Sequence, residues 1–371
     1  MVIEFYQPSK GRHRQPRLSR SRLQVELLES RCLMSFQVLA TLGDPVAGAG
    51  FRINDFEPNG LNNRGDVLYG DDLGTANDPS TFYGEGVFLR SQGHETLLAR
   101  TNTSAPGGGT YDFGFLGPSA LNDSGDVAYA FTLQPAGSPF GVHAGTYRFS
   151  HTTQTVTPVV VPDVTPAPTG GKFAGTFFAP SMDNHGDVLF TGIVPTDKGV
   201  HFSDEPYVGL GLGVFQADKN GHISSVVVPG DAAPGGGTFD AAGEYGSGPW
   251  VNEEGDIVFI GHVAGQEARV PGFPPQAAFI STLGSLYVRD GQTGRIQSIA
   301  HSGDPAPGGG AFRQALFPEI NAEGDILFTG DLTKAPDANQ VLGVFMVEDG
   351  RLISIARPGD AVPGGGHFVT T

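Results

Sequence analysis

Five aspartates stand at one fixed place in a recurring pattern. Asp66 closes the run Asn62-Asn63-Arg64-Gly65-Asp66, and Asp126, Asp187, Asp256 and Asp325 close its counterparts. One carboxylate per repeat is chemistry that a divalent cation would use. Calcium takes about six to eight oxygens, and its loops place several acids at alternate positions. Each turn here supplies one dependable carboxylate, joined by extras such as Asp183 or Glu254. Two readings stand: weak calcium ligands, or side chains that cap their own hairpin or pair with the neighbouring unit. The second is preferred. No cofactor is expected, and calcium is the candidate if there is one.

A second set of polar residues lies in five segments that differ between copies: 71–85, 131–144, 193–212, 262–283 and 331–342. The third holds His201, Asp204, Glu205 and Tyr207, and the fourth holds His262, Glu267 and Arg269. Such mixtures suit a wet recognition surface, and they also suit any solvated loop. Each segment occupies the same place in its repeat, so all should emerge on one face. Divergent inserts on a regular scaffold are how repeat folds usually build binding surfaces.

Catalytic patterns do not stand out. Ten histidines form no His-Glu-x-x-His spacing, and no Gly-x-Ser-x-Gly elbow occurs. Cys32 is the only cysteine, which excludes an intrachain disulfide and Cys-ligated zinc in the body. Arg64-Gly65-Asp66 spells an adhesion tripeptide, but Ser124, His185, Glu254 and Glu323 hold the arginine's place elsewhere. Glycine runs such as Gly308-Gly309-Gly310 lack the Gly-Lys-Ser/Thr ending of a phosphate loop and recur in every unit, as turns do. His301 flanks one of them and reads as solvated. The single tryptophan, Trp250, precedes a strand and is expected in the core.

The positioning elements follow from the repeat. The glycines of the Asn-x-x-Gly-Asp pattern sit at 65, 125, 186, 255 and 324, a period of 60 to 69 residues. The asparagine can fold onto the turn backbone, and the glycine supplies the positive φ that joins two twisted strands. The apolar run after each aspartate is too short for a helix and too uniform for a wet face, so it should be covered on both sides. A glycine-run element precedes each copy, and Gly-Val-Phe or a variant follows it. Three strands per period are visible, with a fourth starting at the Phe after the glycine run. Units that bury both faces against their neighbours are propeller blades. The expected fold is all-β: propeller-like tandem repeats of five to six blades, incompletely closed in one version, over residues 37–371. The motif with its apolar tail resembles uncharacterised bacterial extracellular repeats of the types N-x-x-G-x-x-A-F and I-N-x-x-G-x-V.

Residues 1–36 are a leader of another kind. They carry seven Lys/Arg against three acids, which leaves 15 basic and 36 acidic residues for the body. A body so acidic repels nucleic acid and anionic membranes. No apolar run reaches the length of a membrane span. Leu23, Leu27 and Leu28 suggest one short amphipathic helix. Leu28-Glu29-Ser30-Arg31-Cys32-Leu33-Met34-Ser35 resembles the L-E-P-R-x-L-L sorting signal of planctomycete surface and secreted proteins, with Ser30 at its Pro and Met34 at its Leu. The resemblance implies export to the cell surface or beyond. The function expected is an exported, non-catalytic module that binds an extracellular glycan or protein or serves structurally. The alternative is a propeller-type enzyme acting on extracellular glycans.

Overall fold

The computed structural model describes residues 41, 44–45, 51–53, 57–75, 82–115, 119–134, 143–198, 209–243, 248–264, 284–333 and 341–368. The chain divides into Met1–Ala40 and Thr41–Thr371, and every described residue lies in the second unit. The leader and its expected helix therefore fall outside the described residues.

Among the described residues there is no helix, and the strands form five antiparallel meanders, one per repeat, in four sheets, since the pairing of Thr176 with Ala144 joins the second and third. In blade one, β1 (Phe51–Ile53) and β2 (Glu57–Leu61) pair with β3 (Val67–Thr75), followed by β4 (Phe82–Ser91) and β5 (His94–Arg100). Blade two sets β6 (Thr110–Phe115) and β7 (Ala120–Leu121) on β8 (Val127–Gln134), then β9 (Ala144–Ser150) and β10 (Thr155–Val160). Blade three is β11 (Gly175–Met182), β12 (Val188–Pro195), β13 (Leu210–Ala217) and β14 (Ile223–Val227). Blade four sets β15 (Phe239–Ala242) and β16 (Trp250–Val251) on β17 (Ile257–Val263), then β18 (Ser285–Arg289) and β19 (Ile296–Ala300). Blade five is β20 (Ala311–Ile320), β21 (Ile326–Thr333), β22 (Val341–Glu348) and β23 (Arg351–Ala356). The architecture is a propeller-like tandem repeat, as the pattern predicts.

The second strand of the inner repeats is covered on both faces, for the reason its composition gives. β8 and β12 are buried at every residue but the last, and β17 throughout. Separate cores fill the spaces between blades one and two, two and three, three and four, and four and five.

Three aromatic rings organise each space. In blade three Phe173 meets Phe215 edge-on with centroids 4.9 Å apart, and Phe215 stacks on Phe190 at 5.9 Å. Phe239, Phe259 and Tyr287 repeat the arrangement in blade four, and Phe312, Phe328 and Phe345 in blade five. In blades three to five a glycine two residues past the second-strand ring makes room for the other two. A Cβ on Gly192 would lie 2.6 Å from Phe173 and 2.8 Å from Phe215. Blade two uses tyrosines instead, and burial pushes the phenols of Tyr111, Tyr129 and Tyr147 far up, so they stay neutral. Tyr111 and Tyr129 pair at 3.1 Å, whereas the Tyr147 hydroxyl has no partner among the described residues. Removing an unpaired buried hydroxyl relieves its desolvation cost. Tyr147→Phe should therefore raise the unfolding free energy by about 1 kcal/mol, read as a higher urea midpoint; a lower midpoint would refute this.

The first strand of every blade is broken before it reaches the turn. The pairing skips between Pro58 and Gly60, between Phe177 and Ser181, and between Leu316 and Glu319, while β6/β7 and β15/β16 are separate segments. These breaks from all five blades border one cavity of about 200 Å³, lined by Asn59, Ser119, Ser181, Trp250, Phe317 and Glu319 among others. The first strands thus surround a common axis. Trp250 departs from its expected place in the core: it is 36% exposed, because the break in blade four turns it toward this cavity.

Among the described residues the ring is not sealed between blades five and one. Leu68, Ala128, Leu189 and Val258 are fully buried, but Leu327, at the same place in blade five, is 41% exposed. No core cluster joins blades five and one among the described residues.

Candidate functional site

Strand direction assigns each loop to an end of the axis. The Asn-x-x-Gly-Asp turns join first strands to second, and the hairpins joining third strands to fourth lie at that same end. The inserts and the glycine runs lie at the other.

At the turn end the regular chemistry is structural. Asn122 accepts hydrogen bonds at Oδ1 from the backbone N–H groups of Ser124 (3.0 Å) and Asp126 (2.9 Å). Its Nδ2 donates to the Asp183 carbonyl of the next blade (3.1 Å), and Asn62 does likewise to Asn122 (2.9 Å). The five repeated aspartates bond to the protein itself. Asp126 Oδ1 accepts from the N–H of His151 (2.7 Å), Asp187 from those of Lys219 (3.2 Å) and Gln216 (3.1 Å), and Asp256 from that of Gly291 (2.8 Å). Asp66 accepts from Asn62 (2.9 Å) and Asp325 from Asn321 (3.1 Å). Each ties its turn together or ties it to the neighbouring hairpin. Among the described residues no three His, Cys, Asp or Glu side chains gather as a cation site. Arg64 of the adhesion-like tripeptide is engaged with the Ser124 carbonyl (2.6 Å) and His151 (3.1 Å) of blade two.

One turn breaks the series. Asp183 stands where the others have asparagine, so it has no side-chain N–H to pass on to blade four. Burial first, and the charge of Asp183 second, push the Asp187 carboxyl above its ordinary value. A raised carboxyl contributes stability at low pH that is lost as pH rises through its folded value. Asp183→Asn restores the donor and removes the repelling charge. It should stabilise the fold by about 1 kcal/mol at pH 7, with a smaller gain below pH 3.8, the ordinary value, where Asp187 is protonated in both proteins. Denaturation at the two pH values tests it; an equal gain at both would refute the charge argument.

At the insert end lies a cavity of about 430 Å³, lined by Pro234, Gly235, Val263, Ser285, His301, Ser302 and Asp304. Two successive glycine runs form its walls, and the two ends of the fourth insert form its base. Asp304 shapes the second run: its Oδ2 accepts from the His301 N–H (2.9 Å), and its carbonyl accepts from Phe312 N–H (2.9 Å). The His301 ring stands edge-on to Tyr287 with centroids 5.3 Å apart. It is thus held rather than freely solvated. Imidazole, two serine hydroxyls and a carboxylate offer donors and acceptors to a polar ligand.

His201, Asp204, Glu205, Tyr207, Glu267 and Arg269 lie outside the described residues. His262 does not belong to an insert. β17 runs on to Val263, and His262 is 2% exposed within it. Glycine and histidine after the apolar run look like a strand end, but Phe239 and Tyr287 cover Gly261, and pairing with β15 continues through His262 to Val263. The cavity residues His301, Ser302 and Asp304 belong to a glycine run whose repetition reads as scaffold alone. Their only signal is the contrast of Ser302 with Pro229 and Pro358, and of His301 with Val228 and Arg357, before the matching Gly230 and Gly359.

A family model described as a family of unknown function, DUF7453, matches residues 24–274 and again 274–371. No curated protein matches the sequence. Among solved structures, the chain is similar to the B. megaterium levansucrase mutant K373A, at 10% identity and TM-score 0.39 over 86% of this chain and 89% of that one. It is also similar to the β-propeller domain of the Trilobed protease from Pyrococcus furiosus, described as having an open velcro topology. There the identity is 10% and the TM-score 0.36, over 83% of this chain and 84% of that one. PorZ, a bacterial surface component of the type-IX secretion system of Porphyromonas gingivalis, matches at 14% identity and TM-score 0.45, over 88% of this chain and 38% of its own. At such identities no residue's role passes to this chain.

Proposed function

We propose, for a chain that belongs to the DUF7453 family of unknown function, that it is an exported, non-catalytic module capturing an extracellular glycan or protein on its insert end. The observation that carries this reading is the cavity of about 430 Å³ at the base of the fourth insert, with donors and acceptors from two glycine runs around it. Its one carboxylate, Asp304, holds the His301 backbone through Oδ2, which leaves Oδ1, the imidazole and two serine hydroxyls as contacts for a polar ligand. The leader's likeness to a sorting signal supports export, and the acidic body disfavours nucleic acid and anionic membranes as partners.

The decisive experiment replaces residues 199–208 and, separately, 265–283 with short glycine linkers. Both variants should keep the parent's melting temperature and lose capture of the partner found in a glycan or surface-protein array. Undiminished capture by both would reject the insert end as the binding surface. Fusing residues 1–36 to a reporter and fractionating the cells tests export; a reporter retained inside would reject it.

A further inference from the structure

The cavity on the axis lies at the far end of the first strands from the inserts, and its lining has chemistry of its own. Ser119 is 4% exposed, and its hydroxyl has no hydrogen-bond partner among the described residues. The same holds for the side-chain nitrogen of Asn59. An unsatisfied buried polar group costs about 1–3 kcal/mol, and two on the wall of one cavity point to a partner that fills it. Trp250 and Phe317 bring large rings to the same place, 36% and 49% exposed on strands that otherwise hide such side chains. Phe317 sits at φ 49°, a left-handed conformation that bulky residues rarely adopt, which keeps its ring out of the sheet.

We infer that this cavity binds one ring of a neutral saccharide. A sugar hydroxyl both donates and accepts, so it satisfies Ser119 and either orientation of the Asn59 amide. Ser181 donates to the Pro249 carbonyl (2.7 Å), which leaves its oxygen free to accept from a second hydroxyl. The apolar face of a sugar ring lies well on indole and phenyl, the apolar bodies that Trp250 and Phe317 present. Glu319 is the one ionisable side chain in the lining, with no Lys, Arg or His beside it, which disfavours uronates and phosphates. A quaternary ammonium would suit the rings and Glu319, but it has no acceptor for Asn59 and nothing for Ser119. At about 200 Å³ the space admits a single ring rather than a chain of them.

Trp250 is the protein's only tryptophan, so its fluorescence reports this cavity and nothing else. The full chain is titrated with neutral hexoses, pentoses and N-acetylhexosamines, and with glucuronate and choline in parallel. The expected result is a saturable change with at least one neutral sugar, together with protection of Trp250 from acrylamide. Ser119→Ala should weaken that binding about tenfold while leaving the melting temperature equal or higher, since it removes an unpaired group; Asn59→Leu should weaken it similarly. A response to choline or glucuronate alone, no response to any sugar, or unchanged binding in both variants would overturn the inference. Because the insert-deleted variants keep every lining residue, they should bind the sugar as the parent does. Failure of the insert-end reading therefore leaves this one standing.

Discussion

Phe215→Ala should lower the unfolding free energy by about 3–5 kcal/mol. The ring is fully buried in the middle of β13 and takes part in the core between blades two and three. It touches Phe173 edge-on and Phe190 face-on, and it rests on Gly192, so the space it leaves is bounded by backbone and by two rigid rings. Rigid walls do not collapse into a void, which places the cost at the upper end for truncations. Leu327→Ala in the unsealed face of blade five is the comparison, since its side chain is already 41% exposed; it should cost less than about 1 kcal/mol. Urea denaturation followed by circular dichroism measures both. A loss below about 1.5 kcal/mol for Phe215→Ala would mean that the ring triads do not hold the blades.

Asn122→Ala should cost about 3 kcal/mol. The side chain is 4% exposed and all its polar atoms are used. Its loss strips acceptors from two turn N–H groups and cuts the bond to the Asp183 carbonyl in the next blade. Asn321 isolates that last contribution. It is exposed and bonds within its own turn, to the N–H of Asp325 (2.7 Å) and the Asp325 carboxylate (3.1 Å). Asn321→Ala should cost about 1 kcal/mol. Equal losses for the two variants would show that the link between blades contributes nothing.

The turns were legible because a local rule determines them. Asn folds onto the turn at Asn62, Asn122, Asn252 and Asn321, and the five glycines hold φ between 79° and 88°. The doubly covered second strand was legible for the same kind of reason, since an unbroken apolar run has no wet side. Strand length was not. Ile193-Val194 and Asp331-Leu332 fall in the inserts by sequence, yet each strand runs through them because aromatic rings from neighbouring strands cover the preceding glycines, Gly192 and Gly330. The inserts accordingly shrink, from 193–212 to the span between Pro195 and Leu210 in one case. The axial cavity escaped notice because nothing in one repeat specifies it; it exists where five breaks meet. Its trace was present all the same. Pro58, Pro118, Pro180, Pro249 and Pro318 stand three or four residues before the turn in every copy. A proline cannot donate to a sheet ladder and marks a bulge.

The unsealed face of blade five bears on how the molecule comes apart. Where each unit leans only on its neighbours, stability is a sum of pairwise couplings, and a closed circle has no terminus from which fraying can start. Among the described residues blade five has no companion on one side, and Leu327 and Ile355 are already wetted there. Backbone amides in β22 and β23 should exchange with solvent deuterium first, and protection should climb step by step toward β8 and β12. Opening then proceeds as an ordered peeling that leaves the middle units intact longest.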